Sequence, residues 1–106
     1  MKKNMKQGYV YMMANAPHGT LYIGVTSDIM RRVAEHKQGI IEGFTKKYGL
    51  TILVYLEVAP TMADAIAREK QLKRWHRDWK INLINEANPA WRDVSMDWMD
   101  AETSSA

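Results

Sequence analysis

A chain of 106 residues with no cysteine has room for one hydrophobic core, and it offers neither a disulfide framework nor a thiolate metal site. Hydrophobic residues make up 46% and charged residues 25%, a balance that excludes a disordered chain, and no apolar run is long enough to span a bilayer. The charge is uneven: residues 1–92 hold all 15 Lys and Arg against 8 acids, whereas residues 93–106 hold 4 acids and no base. A basic body of this size favours a polyanionic partner such as nucleic acid. With no signal-peptide pattern at the start, the expected location is cytoplasmic.

Gly8 to Ala14 reads as a strand, with Tyr9, Tyr11 and Met13 on one face and Val10 and Met12 on the other. Asn15-Ala-Pro-His-Gly19 carries turn chemistry, and Thr20 to Val25 alternates again, so the two runs form a β-hairpin. A turn centred near Ala16 and Pro17 sets Tyr11 roughly opposite Tyr22 and Tyr9 near Gly24, with both phenols on one face. Ser27 or Asp28 caps a helix ending near Gln38, where Gly39 stops it. On that helix Ile29, Arg32, Val33 and His36 share one stripe. Gly43 to Gly49 reads as a basic loop offering Thr45, Lys46, Lys47 and Tyr48 to a ligand. Leu50 to Ala59, rich in β-formers, is a third strand ended by Pro60.

Thr61 caps the next helix, from about Met62 to His76, with Asp64 at the capping-box position. Ile66, Glu69, Leu72 and Trp75 are spaced in threes, while Arg68, Lys70, Lys73 and Arg74 spread around the remaining surface. Glu69 therefore interrupts an apolar stripe, where a carboxylate costs free energy unless a cation or hydrogen bonds compensate it. A last helix from about Arg77 to Glu86 is apolar through Trp79, Ile81, Leu83 and Ile84 and stops at Asn88-Pro89. The domain is expected to occupy residues 1–92, with 93–106 a mobile acidic tail in which Trp98 and Met99 fold back. The expected fold is α/β (α+β): a small, mostly antiparallel three-stranded sheet flanked by three helices.

Two tyrosines across a hairpin, an arginine and a histidine one turn apart on the next helix, and a glutamate on a later helix are the residues that packing alone explains least. They coincide with a family pattern. Tyr9-Val10-Tyr11 stands where the GIY-YIG endonucleases have their first motif and Tyr22-Ile23-Gly24 where they have their second. The spacing from Gly24 to Arg32 and His36 matches, as does a glutamate on the helix after the third strand, here Glu69. Asn88, in Asn88-Pro89-Ala90-Trp91-Arg92-Asp93, looks like the ending of small stand-alone bacterial members. The resemblance, which extends to the N-terminal cleavage domain of the excinuclease members, covers residues 8 to 93. Two departures stand out: the first motif is Tyr-Val-Tyr rather than Gly-Ile-Tyr, and Val25 occupies the position where excinuclease relatives carry a lysine.

The resemblance implies a metal-dependent nuclease acting on DNA, with Tyr11, Tyr22, Arg32, His36, Glu69 and Asn88 as site residues and Gly24 as a structural one. Phosphodiester cleavage needs an attacking oxygen, an acceptor for its proton, and stabilisation of phosphoryl and leaving-group charge. Glu69 is the candidate ligand for one Mg²⁺ or Mn²⁺, since such ions take one or two carboxylates and keep several waters. Arg32 suits the phosphoryl oxygens, a tyrosine positions and deprotonates the water, and His36 relays the proton or binds phosphate. Lys46, Lys47, Lys70, Lys73 and Arg74 are candidate nucleic-acid contacts.

Each residue also has a plainer reading. The tyrosines suit an aromatic cross-strand pair, Arg32 and Glu69 an interhelical ion pair, and Asn88 a helix cap. The four tryptophans suit core and edge packing better than base stacking. A catalytically weak nucleic-acid-binding module, or a subunit of a repair or restriction complex whose protein partner supplies targeting, is the alternative function.

Overall fold

The computed structural model describes residues 7–41 and 43–98. Strand β1 (Gly8–Ala14), β2 (Leu21–Thr26) and β3 (Ile52–Ala59) form one antiparallel sheet in the order β2-β1-β3, so the first strand is the central one. Helix α1 (Ile29–Gln38) and a one-turn helix α2 (Phe44–Tyr48) lie between β2 and β3, and α3 (Met62–Arg74) and α4 (Arg77–Ala87) follow β3. The segment expected as a basic loop thus closes one helical turn, with Lys46 and Lys47 in it.

Strand alternation sorts the core into two layers. Val10, Met12 and Ala14 point to one side, where they pack with Ile23, Val54, Ala65, Leu72, Ile84 and Trp91. Tyr11 and Met13 point to the other, with Ile29, Val33, Leu50 and Leu53. Helix α1 therefore covers the tyrosine face, and α3 and α4 cover the opposite one. Each fully buried aliphatic side chain contributes roughly 1.5–3 kcal/mol to holding its layer on the sheet. At Gly8 the approach of α3 is so close that a Cβ would lie 2.5 Å from that of Ala65.

The helix ends follow the sequence signals. Asp28 accepts from the Arg31 amide at the start of α1, and Gly39 closes it in the left-handed region at φ 71°. The Thr61 hydroxyl accepts from the Asp64 amide at the start of α3.

Four expectations are corrected. The hairpin register is shifted: Tyr11 faces Gly24, Tyr9 faces Thr26, and Tyr22 faces Met13. The cause is the turn, which centres one residue later than expected, because Asn15 Oδ1 accepts from the Thr20 amide and His18 adopts φ 59°. Helix α3 ends at Arg74, with Trp75 as its extended cap. It buries Ala65 and Leu72 while Ile66 is exposed, so spacing in threes pointed the stripe one residue too far round. Finally, residues 93–98 pack on the fold rather than forming part of a mobile tail, with Trp98 folding back as expected. The Val94 amide donates to the Leu53 carbonyl, Lys37 pairs with Asp93, and Val94 and Trp98 pack on the tyrosine face. Met99 and the rest of the tail lie outside the described residues.

Candidate active site

Tyr11 projects from the central strand across β2, and Gly24 makes room for it. A Cβ at Gly24 would lie 2.4 Å from both Cζ and Oη of Tyr11. The hydroxyl end of a fully buried ring is thereby laid over the edge strand. Tyr22, two residues earlier on β2, points to the same face as Tyr11, and the two ring centroids are 6.3 Å apart. They are diagonal rather than directly opposed neighbours.

His36 enters this pair from α1. Its stripe with Ile29 and Val33 is buried against the sheet, as the i, i+4, i+7 spacing requires. Tyr11 Oη and His36 Nε2 are 3.0 Å apart in a buried hydrogen bond. The imidazole centroid is 5.5 Å from the Tyr11 ring and 5.6 Å from the Tyr22 ring, so it touches both phenols. Among the described residues its Nδ1 is buried with no partner.

Arg32, one turn earlier, completes the group. Its guanidinium lies within reach of the Tyr11 hydroxyl, and its Nε sits 3.3 Å from Glu35 Oε1. Glu35 also holds Arg31, at 3.3 Å through its other oxygen. Glu35 is not among the residues that the motif spacing singles out, although its position three and four residues after two arginines is the signal that finds it. Thr26, Ser27, Asp28, Arg31, Arg32 and Glu35 line a polar cleft of about 270 Å³. It adjoins a wider one of about 410 Å³ bordered by Tyr9 and Gln7.

Burial sets the protonation states. It pushes the Tyr11 phenol up to about 12, with Tyr22 nearby adding to the rise and the Arg32 hydrogen bond opposing it. Burial, helped by the Arg32 charge and opposed by Glu35, pushes the His36 imidazole down to about 4. Burial also disfavours the Arg32 charge, but the Tyr11 hydrogen bond and Glu35 outweigh it and raise its pKa. At neutral pH the group is therefore a neutral phenol on a neutral imidazole beside a fixed guanidinium. The burial and the Arg32 charge that keep the imidazole neutral also oppose its taking up a proton, whereas a guanidinium can pair with two phosphoryl oxygens.

Glu69 comes from α3, whose Ala65 and Leu72 pack on the layer opposite Tyr11, and its side chain is 12% exposed. Its Oε2 pairs with Lys73 Nζ at 2.7 Å. Among the described residues no hydrogen bond joins it to either phenol, nor is it paired with Arg32, and no cluster of three or more His, Asp or Glu side chains is placed to hold a metal. Helix α3 does lie against both β1 and β2. The helix that carries Glu69 thus packs on the same two strands that carry Tyr11 and Tyr22.

Asn88 is buried at the end of α4 and fully engaged. Its amide donates to the Val54 and Arg92 carbonyls at 3.0 and 2.9 Å, and its oxygen accepts from the Arg92 amide at 3.2 Å. That is the work of a cap, away from the phenols. Lys46, Lys47, Lys70, Lys73 and Arg74 are all exposed on α2 and α3. Arg68, expected on the free surface, is instead locked to Glu57 of β3 at 2.9 Å, and Tyr55 donates to the same carboxylate. Burial works to raise Glu57, but the hydrogen bonds from Arg68 and Tyr55 prevail and lower it.

The description "GIY-YIG catalytic domain" matches residues 7–82. A UPF0213 protein of Staphylococcus saprophyticus is 34% identical over 82 residues, covering 77% of this chain and 99% of that relative. UPF0213 proteins of Staphylococcus haemolyticus and Staphylococcus aureus, at 32% and 34% identity, match over the same shares. No solved structure matches the chain. With the paired phenols, the arginine and the histidine at the family spacing on this hairpin and helix, the chain belongs to the GIY-YIG family, a nuclease family, among its small stand-alone UPF0213 members.

Proposed function

We propose that this protein is a metal-dependent endonuclease that hydrolyses phosphodiester bonds in DNA, using Tyr11, Tyr22, Arg32, His36 and Glu69. The observation that carries the reading is the convergence of two phenols, an imidazole with a spare nitrogen and a guanidinium over Gly24 at the sheet edge. Tyr22, the more exposed phenol, meets the attacking water and relays its proton to solvent at the sheet edge, while the buried His36, held neutral, packs against both phenols and orients them. Tyr11, held protonated, positions His36 through their hydrogen bond. Arg32 exchanges Glu35 for the phosphoryl oxygens as negative charge builds on them. Asn88 is assigned a structural role. Lys46, Lys47, Lys70, Lys73 and Arg74 form the cationic rim that meets phosphates.

Glu69 fits a hard divalent cation such as Mg²⁺ or Mn²⁺. One carboxylate suffices for an ion that keeps several waters, and the Lys73 side chain paired with it is 51% exposed and able to swing away. When bound, such an ion neutralises charge on the phosphate or on the departing oxygen. For Glu69 to serve the tyrosine cluster, the site straddles the outer edge of β2, over which Gly24 already lets Tyr11 extend.

The test is cleavage of branched, single-stranded and duplex DNA by the purified chain in Mg²⁺ or Mn²⁺. Cutting that slows by about 10² or more in Tyr22→Phe and Glu69→Ala is the expected result; an unchanged rate in Glu69→Ala removes that residue from the machinery. The packing of α3 on the layer opposite Tyr11, together with Val25 in place of a lysine, favours a second reading, a nucleic-acid-binding module with little catalysis. Salt-dependent binding without cutting under any divalent metal selects it.

A further inference from the structure

At the elbow where α3 hands over to α4, two tryptophans meet edge to face. The Trp75 and Trp79 ring centroids are 5.9 Å apart with planes at 81°. His76 holds Trp79 from another side, 5.3 Å away and at 87°. Trp79 is nevertheless 54% exposed, while Ile84, on another face of the same helix, is fully buried. Trp79, Asn82, Leu83 and Glu86 fall at the i, i+3, i+4, i+7 positions of α4, and with Trp75 they line a shallow cleft of about 210 Å³.

We propose that this cleft is a binding site for one unpaired nucleobase of a single-stranded nucleic acid, an inference that takes nucleic acid as the ligand from the function proposed above. Three features support that occupant. A rigid, exposed indole set upright by two edge contacts is a stacking platform for any base, whereas the bases of a duplex are covered by their neighbours. Asn82 and Glu86 offer donors and acceptors for the polar edge of a stacked base. The flanking chain is cationic, with Lys73 and Arg74 in the last turn of α3 and Lys80 next to Trp79, which suits a phosphate backbone. The cleft is also connected to the candidate site: Trp75 follows Glu69 by six residues, a rise of about 9 Å along a helix, within the span of one or two nucleotides.

The experiment uses the full chain carrying Glu69→Ala, without divalent metal, so that cutting does not intervene. Tryptophan fluorescence and affinity are measured with oligothymidylate, with oligouridylate and with an abasic oligodeoxyribonucleotide of equal length, for the parent and for Trp79→Ala and Trp79→Phe. The expected result is quenching by at least one of the two base-bearing strands. Trp79→Ala should bind that strand about tenfold or more weakly, with the abasic strand unaffected and Trp79→Phe retaining most of the affinity. Equal affinity for abasic and base-bearing strands, or no loss in Trp79→Ala, overturns the proposal. Because Trp79 is more than half exposed, the variants are expected to fold, and their melting curves verify it. Failure of the nuclease reading shows up separately, as absence of cutting by the unsubstituted chain.

Discussion

Replacing Gly24 with alanine tests whether the tyrosine cluster is held by a single missing side chain. The new methyl carbon would lie 2.4 Å from Cζ and Oη of Tyr11 and 2.8 Å from Cε1, where ordinary contact begins near 3.4 Å. Something must move by about 1 Å. The ring is the only flexible party, since the opposing atoms are the backbone of β2, yet it is fully buried and tied to His36 at 3.0 Å. Overpacking of this kind costs roughly 1–3 kcal/mol. For a domain of this size that lowers the melting temperature by roughly 4–20 °C. A 1 Å displacement of a catalytic group costs about 10²-fold in rate. Calorimetry and the cleavage assay read the two effects, and the Tyr11→Phe variant separates them. Phe keeps most of the steric conflict, so Gly24→Ala should still destabilise the Tyr11→Phe background, whereas it should slow cleavage little further there. A Gly24→Ala protein that melts and cuts like its parent would refute the claim that Tyr11 is seated by this glycine.

Three other outcomes are expected. His36, 4% exposed and lowered to about 4, binds its proton more readily unfolded than folded. Its stabilising contribution is therefore complete above about pH 6.5 and is lost as pH falls to about 4, a difference of roughly 3 kcal/mol. Denaturant titrations across that range should show the decline, and His36→Gln should flatten it. Asp93→Ala leaves the Leu53 and Ser95 amides without their acceptor and Lys37 with the Thr51 carbonyl but no counter-charge; a loss of about 1–3 kcal/mol, with faster amide exchange at the start of β3, is the expected result. Removing divalent metal with a chelator should stop DNA cutting, and titrated Mg²⁺ should restore it in the parent but not in Glu69→Ala, as followed by gel.

Much of the fold follows from short-range signals. Asp28, one of the two residues expected to cap α1, and Thr61 cap their helices, and Gly39 stops α1, because those devices act within one turn of backbone. The tyrosine, arginine and histidine cluster was legible for the same reason, since a hairpin and the helix after it fix most of its geometry. What escaped was long-range. One residue of drift in the turn changed which residue faces Tyr11, and only Asn15 and His18 in their folded conformations decide it. Nothing in the spacing of α3 told which side of the sheet it would choose, so its packing on the layer opposite Tyr11 was invisible. Asn88 reads as a polar residue at a helix end in either role, and only its three hydrogen bonds to and from backbone settle what it does in the fold. The docking of Val94 on Leu53 bridges segments about forty residues apart, which no local pattern reports.

The sheet has only three strands, and its middle one serves both layers: Tyr11 and Met13 on one side, Val10, Met12 and Ala14 on the other. Larger enzymes can repack an interior while their reactive groups ride on a separate, undisturbed element. Here a misfit beneath Met12 is passed through a single backbone thickness to the phenol above it. Substitutions in the layer under α3, such as at Val10 or Leu72, should therefore displace the Tyr11 ring as well as lower stability, and this sheet has little freedom to be repacked without moving the phenol it carries.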